Sequence, residues 1–267
     1  MRIGVIIPAA GGSTRYTSAG GLRSKLDEDL GGKPLLQRTV EVFTKFEPRD
    51  GSITSIVVAG PGEPDAFAEF RMRHGDRLAI LGATLVPGGL THRWETVRAA
   101  LAAIPQDCTH VCVHDAARPC VSHEVIDRVL RAGAVYPAVI PVVAIRDTVK
   151  RIRDTGETMR EDDPTAAILG AAPTRPLRVV ERTLDRAGLG LVQTPQVFDA
   201  ALLRRAYAQG DLSSTDDAGL VERLGEPVVV VEGEARNIKV TLPEDLALAR
   251  LILGLREPEG RPVHKRF

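Results

Sequence analysis

The chain has 267 residues, enough for one large α/β domain or for a domain with an appendage. Its 35 basic and 35 acidic residues give a formal net charge of +0, which argues against a surface that binds nucleic acid through a general basic field. Apolar runs such as residues 138–145 are too short to span a bilayer, and the chain enters a predicted strand at once, without a cleavable signal. We therefore expect a cytoplasmic protein whose partners are small molecules or proteins, with no nucleic-acid or membrane partner.

Short β-branched runs alternate with helical segments along most of the chain. The runs are mostly apolar and lack period-2 polarity, as expected for strands covered by helices on both faces. They span residues 3–7, 54–59, 83–86, 110–114, 138–145 and 227–232. Helices are predicted at residues 35–46, 93–104 and 124–132. This alternation predicts an α/β fold with a Rossmann-like, mainly parallel sheet.

The first predicted strand runs into a loop of small residues, A-A-G-G-S-T-R at residues 9–15. Small side chains let backbone N–H groups approach phosphate oxygens closely, and Arg15 adds a forked, permanently charged donor. Lys25 offers a second cation ten residues later. The loop has neither P-loop nor G-x-G-x-x-G spacing. It fits a triphosphate, and taken alone it fits an ordinary strand-to-helix turn about as well.

A polar block follows the predicted strand at residues 110–114. A carboxylate and an arginine three residues apart, Asp115 and Arg118, suit a hydroxylated, anionic substrate, with Asp115 accepting from hydroxyls or holding Mg²⁺. For this motif alone, an Asp-Arg pair that stabilises its own loop is the more frequent outcome. Three cysteines and three histidines interleave nearby without a C-x-x-C pair, which favours reduced core thiols over a zinc site; they are Cys108, His110, Cys112, His114, Cys120 and His123.

Residues 146–196 interrupt the alternation. They hold Pro164, Pro173 and Pro176, many charges and short β-prone pieces at residues 148–152 and 189–192, with no helix of the length a βαβ unit needs. We interpret them as an inserted β-rich arm with a loosely ordered tip at about residues 154–180. Ligands of open α/β sheets lie beyond the carboxyl ends of the strands, so such an arm can reach the site of its own chain or of a neighbour.

The C-terminal part returns to the α/β pattern. The sequence T-L-P-E at residues 241–244 predicts a capping box with proline in the first turn of a helix that runs through about Leu253. Residues 257–267 hold two prolines and mixed charge and are predicted to be a flexible tail. The predicted sheet domain therefore comprises residues 1–145 and 197–256.

Five blocks, in this order, resemble one family over residues 3–253. They are the strand and small-residue loop with Lys25, H-D-A-A-R-P at 114–119, R-D-T at 146–148, D-R-x-G-L at 185–189 with T-P-Q at 194–196, and N-I-K-V-T at 237–241. The chain resembles the 2-C-methyl-D-erythritol 4-phosphate cytidylyltransferases of the non-mevalonate isoprenoid pathway. The resemblance implies a nucleotidyltransferase fold whose inserted β-arm dimerises two chains. It also implies that CTP and 2-C-methyl-D-erythritol 4-phosphate, a polyol phosphate, become 4-diphosphocytidyl-2-C-methyl-D-erythritol and pyrophosphate, with Mg²⁺ as the divalent cation.

The same resemblance implies the site residues. The catalytic residues are Arg15, Lys25 and Lys239. The nucleotide-binding residues are Pro8, Ala9, Ala10, Gly11, Gly12, Gly88, Gly89, Thr96 and Ala116. The substrate-binding residues are Asp115, Arg118, Thr148, Arg186, Thr194, Thr215 and Lys239, with Asp115 also the metal ligand. In the family, the counterparts of Thr148, Arg186 and Thr194 come from the partner subunit's arm, so the resemblance implies an active homodimer.

Three features depart from the family pattern. Ser24 precedes Lys25 where the family commonly has proline, and an extra Gly-Gly pair lies just upstream. The G-G-L-T-H-R run at residues 88–93 is one residue longer than the family's G-G-x-x-R and lacks its frequent acidic residue. The spacing from Thr148 to Arg186 is about twenty residues longer than usual. This last insertion bears on dimer geometry more than on nucleotide chemistry.

Three other interpretations stay open. A ribitol 5-phosphate or related sugar-phosphate cytidylyltransferase would share the loop and the block at residues 114–119. A catalytically silent nucleotide-sugar binding module could have lost some cations, yet all the expected ones are present: Arg15, Lys25, Arg118, Arg186 and Lys239. A dinucleotide-dependent oxidoreductase is the least favoured, because the first loop lacks G-x-G-x-x-G.

Overall fold

The computed structural model describes residues 1–160 and 174–255. These residues belong to two compact units, one formed by Met1–Val143 together with the chain from Val192 onward, and one formed by Ala144–Leu191. Within the described residues, no helix is both long and apolar enough to cross a membrane. The predicted tail at residues 257–267 lies outside the described residues.

The secondary structure follows the predicted alternation. The strands are, in chain order, β1 (Arg2–Pro8), β2 (Ser52–Gly60), β3 (Ala83–Pro87), β4 (His110–Val113), β5 (Ala138–Ala144), β6 (Val149–Arg160), β7 (Thr174–Leu184), β8 (Gly190–Val192), β9 (Gln196–Asp199) and β10 (Val229–Glu232). The helices are α1 (Thr14–Ser18), α2 (Leu35–Thr44), α3 (Pro64–Ile80), α4 (Arg93–Ala103), α5 (His123–Gly133), α6 (Ala200–Tyr207), α7 (Ala218–Arg223) and α8 (Pro243–Ile252).

The sheet of the first unit has the strand order β10-β5-β9-β4-β1-β2-β3. The β1 strand pairs in parallel with β2 and β4, β2 with β3, and β5 with β10. The prediction of a mainly parallel α/β sheet is confirmed, and all six predicted strands are present. The sequence missed β9, which lies antiparallel between β4 and β5. Residues 192–196, which the sequence assigns to the arm, belong to the first unit, and Gln196 opens β9.

Both faces of this sheet are covered. Along β1, Ile3, Val5 and Ile7 enter one buried cluster with residues of α2, α5 and α8, whereas Ile6 enters a second cluster with residues of α4, α6 and α7. Successive side chains of a strand point to opposite faces, so an all-apolar strand is what a doubly covered sheet needs. Gly4 is required by packing, because a Cβ there would lie 2.7 Å from Ile104 Cγ2.

Two local predictions change at the helices. The N-terminus of α8 is capped by Asp245, whose carboxylate accepts the N–H groups of Thr241 and Leu242 at 2.7 and 2.8 Å. The predicted box with a carboxylate at Glu244 is therefore wrong by one residue. Helix α3 was not predicted, because its buried side chains are only Phe70, His74 and Leu78 and its other positions are mostly polar or small.

The second unit contains an antiparallel pair of strands, β6 and β7. The register pairs Val149 with Leu184 and Ile152 with Val180. The prediction of a loosely ordered tip is wrong for residues 154–160 and 174–180, which lie in these strands, and residues 161–173 lie outside the described residues. The segment is β-rich because alternating Val, Ile, Thr and Arg side chains suit a pleated ribbon.

Candidate active site

A cavity of about 530 Å³ opens beyond the carboxyl ends of β1, β3 and β4, within the first unit. It lies where the rule for open α/β sheets places a ligand. Eight predicted nucleotide and phosphate residues line it: Pro8, Ala10, Gly11, Gly12, Arg15, Lys25, Gly89 and Thr96. Predicted residues from the second block and the C-terminal region also line it: Asp115, Ala116 and Lys239.

The loop after β1 exposes its backbone to the cavity. A Cβ added at Gly11 would meet no heavy atom within 4 Å in the described part of the chain, so packing does not explain this glycine. Ser13 takes a left-handed conformation, with φ 53° and ψ 21°, which is uncommon for a residue with a side chain. Ala9 differs from its neighbours, because it is 4% exposed and belongs to the core rather than the cavity lining.

Lys25 lines the same cavity from a short 3-10 turn that follows this loop in the chain. Its Nζ donates to the carbonyl of Val240 at 3.0 Å, and its backbone N–H donates to Ser13 Oγ at 3.3 Å. Burial lowers the pKa of Lys25, and the charges of Lys239 and Arg15 lower it further. Three cations therefore converge on one half-buried space, an arrangement that repels itself and stabilises a bound polyanion.

Asp115 is the negative centre among these cations. Lys239 Nζ lies 2.8 Å from Oδ2 of Asp115, Arg118 Nε lies 3.5 Å from the same oxygen, and Arg93 lies 3.6 Å from Oδ1. Burial acts to raise the pKa of Asp115, but the charges of Lys239 and Arg93 outweigh it and hold this pKa well below its usual range. The carboxylate stays ionised at neutral pH and fixes the position of the surrounding cations.

Arg93 is a charged lining residue that sequence reasoning missed. It begins α4, and its guanidinium donates to Asp217 at 2.8 Å. Asp217 is fully buried and also accepts from the Tyr207 hydroxyl at 2.5 Å, while burial and the Asp217 charge raise the pKa of Tyr207. The buried Asp217 carboxylate therefore fixes the position of the Arg93 guanidinium. The G-G-L-T-H-R run contains it, but nothing in that run shows its partner 124 residues away.

The glycines before α4 are held tightly by packing. The Gly88 N–H donates to Gly60 O at 3.0 Å, and the Gly89 N–H donates to Thr96 Oγ1 at 3.1 Å. A Cβ at Gly89 would lie 2.1 Å from Glu95 Cβ, so only glycine fits. The Glu95 carboxylate accepts from two backbone N–H groups at the start of α4 and is committed to capping the helix.

Two predicted substrate residues lie behind the cavity wall. The Thr194 hydroxyl accepts from the Asp115 N–H at 3.0 Å and lies 3.1 Å from Nδ1 of His114. Burial lowers the pKa of His114 to about 4, so this imidazole is neutral at pH 7. The Arg118 guanidinium donates to the carbonyl of Asn237 at 2.7 Å. Thr194 and Arg118 brace the loops that carry Asp115 and Lys239, and neither lines the cavity.

The remaining predicted residues lie elsewhere. Thr215 is exposed before α7 and does not line the cavity. Thr148 and Arg186 belong to the second unit, where the Arg186 guanidinium donates to the Arg146 carbonyl. The three cysteines are buried free thiols, and the described residues contain no cluster of three or more His, Cys, Asp or Glu side chains that could hold a metal ion.

Comparison with known proteins places the chain in a family. The model for "IspD: 2-C-methyl-D-erythritol 4-phosphate cytidylyltransferase" matches residues 3–255. The 2-C-methyl-D-erythritol 4-phosphate cytidylyltransferase of Frankia casuarinae is 41% identical over 261 residues, which cover 96% of this chain and 83% of that protein. The one from Rhodococcus jostii is 39% identical over 251 residues, 93% of each chain.

A solved structure agrees with the sequence comparison. The crystal structure of 2-C-methyl-D-erythritol 4-phosphate cytidylyltransferase from Thermus thermophilus superposes with a TM-score of 0.66 at 34% identity, covering 96% of this chain and 100% of that one. The resemblance drawn from the five blocks is therefore confirmed. This chain belongs to the 2-C-methyl-D-erythritol 4-phosphate cytidylyltransferase family and is a nucleotidyltransferase of isoprenoid precursor biosynthesis.

Proposed function

We propose that the cavity beyond β1, β3 and β4 is where this cytidylyltransferase binds CTP and joins it to 2-C-methyl-D-erythritol 4-phosphate, with release of pyrophosphate. The observation that carries the proposal is the convergence of Arg15, Lys25 and Lys239 on a space bordered by an exposed small-residue backbone. Such an arrangement suits a triphosphate, because amide dipoles and fixed cations together stabilise a multiply charged anion.

Each part of the nucleotide has candidate partners in the lining. The triphosphate would contact the backbone of Gly11 and Gly12 together with Arg15 and Lys25. The base and ribose would lie against Ala10, Gly89 and Thr96, where small side chains leave space for a ring. The wall at Gly89 is rigid, because Thr96 and the Glu95 cap fix the backbone there.

The reaction needs charge stabilisation more than proton transfer. The attacking phosphate oxygen of the polyol phosphate is already anionic at neutral pH, so it needs no general base. It forms a bond to the α-phosphorus of CTP as the bond from that phosphorus to the bridging oxygen of the pyrophosphate breaks. Repulsion between the two phosphates and the charge growing at the α-phosphorus are the main obstacles, and Lys25, Arg15 and Lys239 oppose both.

Lys239 links the two substrates in this proposal. It is 39% exposed and lies 2.8 Å from Asp115, so it can bind an incoming phosphate while the carboxylate holds its position. Asp115 in turn can accept hydrogen bonds from the hydroxyls of a polyol. Arg93 would keep Oδ1 of Asp115 oriented, since its own position is fixed by the buried Asp217.

Magnesium is part of the proposal. Asp115 is the only carboxylate in the cavity lining among the described residues. Mg²⁺ that accompanies a nucleotide takes most of its ligands from phosphates and water and needs only one or two carboxylates, so this donor set fits. The Oδ1 atom is the less crowded oxygen, because its nearest cation is 3.6 Å away. When bound, the ion would neutralise phosphate charge.

We also propose a homodimer formed through the arm, with Thr148 and Arg186 contributing to the polyol phosphate site of the partner. Two-stranded ribbons are marginally stable alone. The β6-β7 ribbon exposes 55% of Ile152 and 58% of Val180, which are cross-strand neighbours, and a second copy would cover them. The three cysteines are free thiols, which suits the reducing cytoplasm that we propose as the location.

A coupled pyrophosphate-release assay tests the reaction. CTP should be compared with the other three nucleoside triphosphates, and 2-C-methyl-D-erythritol 4-phosphate with ribitol 5-phosphate, each with Mg²⁺ and with a chelator. We expect turnover only with CTP, the methylerythritol phosphate and Mg²⁺. Equal or faster turnover with ribitol 5-phosphate would overturn the substrate, and full activity in chelator would overturn the role of the metal.

A further inference from the structure

A largely buried contact between a carboxylate and an imidazole lies on the far side of the turn that carries Lys25. This turn is a 3-10 helix spanning Lys25–Asp27, and its last residue contacts α3 rather than the cavity. The Oδ1 atom of Asp27 lies 2.7 Å from Nε2 of His74, and Oδ2 lies 3.7 Å from Nε of Arg73. Asp27 thus bridges two consecutive residues of a helix that supplies none of the residues described as lining the cavity.

His74 has no other evident role. Its side chain is 3% exposed, and its ring packs against Phe70 of the same helix, with 4.7 Å between centroids. Within the described residues, Nε2 makes no hydrogen bond of good geometry, and the Asp27 carboxylate, 2.7 Å away, is the charged group in contact with it. Placing a polar imidazole in an apolar site without a partner is unfavourable, so the contact with Asp27 explains why the residue is tolerated there.

The turn has two other firm contacts: Lys25 Nζ donates to the carbonyl of Val240 at 3.0 Å, and the Leu26 side chain is 4% exposed and packs in the core. The Lys25 N–H donates to Ser13 Oγ at 3.3 Å, and Ser24 Oγ lies 3.3 Å from the same oxygen. Both contacts are long for hydrogen bonds of their type. The Asp27 contact at 2.7 Å is the short one, and it joins the turn to a 17-residue helix.

The turn also needs an anchor on electrostatic grounds. Lys25 is repelled by Lys239 and Arg15, which both act to lower its pKa. Without bound nucleotide, these two cations act to displace Lys25 from the cavity, while the charges of Asp115 and Asp245 act against them. For Asp27, burial acts to raise the pKa, but the contact with His74 and the charge of Arg73 outweigh it, so the carboxylate remains ionised and able to hold the turn.

We propose that the Asp27–His74 contact anchors the Lys25 turn to α3, which makes Asp27 and His74 positioning residues for the lysine that meets the triphosphate. The inference rests on the proposed function of Lys25. It adds a second layer to the site: residues that never touch the nucleotide determine where a catalytic cation lies. Small displacements of a catalytic group are costly, because a shift of about 1 Å can reduce a rate by about 10²-fold.

Two substitutions separate the anchor from general stability. His74→Phe keeps a ring against Phe70 and removes Nε2, and Asp27→Asn removes the charge from the opposite side of the pair. Asp127→Asn is the matched control, because it removes a partly exposed carboxylate from an ion pair with Arg49 that lies outside the cavity lining. Each change is made in the wild-type chain and in a Lys25→Met chain.

We expect both anchor variants to lower kcat/KM for CTP by about tenfold or more in the wild-type background and by less than about twofold in the Lys25→Met background. Asp127→Asn should leave kcat/KM for CTP unchanged in both backgrounds. The KM for the second substrate should stay unchanged in the anchor variants. Equal losses in the two backgrounds would show a merely structural effect and overturn the proposal, as would unchanged kcat/KM in His74→Phe.

Hydrogen exchange gives a readout that does not depend on activity. The N–H groups of Asp27 and Glu28 donate within the turn, to the carbonyls of Ser24 and Lys25. They should exchange at least about tenfold faster in His74→Phe, while the amides of β1 stay as in wild type. Unchanged exchange at both amides would overturn the anchor. A wild-type chain that released no pyrophosphate from CTP would instead overturn the proposed function.

Discussion

Replacing Asp115 with asparagine removes the negative charge that three cations share. The substitution keeps the size of the side chain but leaves Lys239, Arg93 and Arg118 to repel one another. Asp115 and Arg118 are each 12% exposed, whereas Lys239 and Arg93 are 39% and 29% exposed. Breaking a buried pair costs about 3–5 kcal/mol, and the two more exposed partners are screened by solvent, which favours the lower end of this range.

We therefore expect Asp115→Asn to lower the free energy of unfolding by about 3 kcal/mol. In a domain of this size, each kcal/mol shifts Tm by about 2–4 °C, so Tm should fall by about 6–12 °C. Thermal melts at pH 7, followed by circular dichroism, measure this shift, with Asp127→Asn as the control for loss of a carboxylate from a surface ion pair. A fall of less than about 2 °C, or one equal to that of the control, would refute the electrostatic account of this cluster.

The same pair of proteins gives a pH test with a defined sign. The folded-state pKa of Asp115 is lowered, so its contribution to stability is complete above the ordinary pKa of an aspartate, about 3.9. The contribution is lost as the pH falls below that value toward the lowered pKa of the folded state. The Tm difference between wild type and Asp115→Asn should therefore be constant near neutrality and should shrink in acid. A difference that grows on acidification would contradict this assignment.

Three further predictions concern activity. Lys25→Ala and Arg15→Ala should each lower kcat/KM by about 10²-fold or more, as measured by pyrophosphate release, and wild-type activity in either variant would remove that residue from the triphosphate site. CTP binding should take up protons at alkaline pH, because bound triphosphate raises the lowered pKa of Lys25. Calorimetry in buffers of different ionisation enthalpy measures the number of protons taken up. Proton release on CTP binding would contradict this prediction. Arg186→Ala should spare CTP binding but weaken use of the polyol phosphate, and mixing it with Lys25→Ala should restore about half the wild-type rate through one intact composite site. Mixtures that have exchanged subunits and stay inactive would exclude a shared site.

The sequence predicted those parts of the fold that have a strong local pattern. Strands β1 to β5 and β10 are apolar, β-branched runs, which few other structures tolerate. Strand β9 was missed because it directly follows a Thr-Pro pair and its place between β4 and β5 depends on tertiary pairing. Helix α3 was not predicted, because the buried His74 stands where an apolar residue would complete the apolar face of the helix.

The candidate site, like the fold, was predicted only where the sequence carries a local pattern. The small-residue loop, Lys25 and Asp115 were found because their types and spacing suggest phosphate and polyol chemistry, although their roles stay predictions. The Arg93–Asp217 pair was not found, since two residues 124 positions apart reveal no contact in one sequence. Thr194 was assigned to the substrate phosphate, yet its hydroxyl is turned toward the Asp115 backbone, and polarity alone does not give direction.

A crystal structure of the protein with CTP and Mg²⁺ would test the central claim most directly. The account predicts that the triphosphate lies within hydrogen-bond distance of the Gly11 and Gly12 amides and of Arg15 and Lys25, with the base against Gly89. Nucleotide bound outside the cavity beyond β1, β3 and β4, or bound there with its triphosphate directed away from Lys25, would contradict the account.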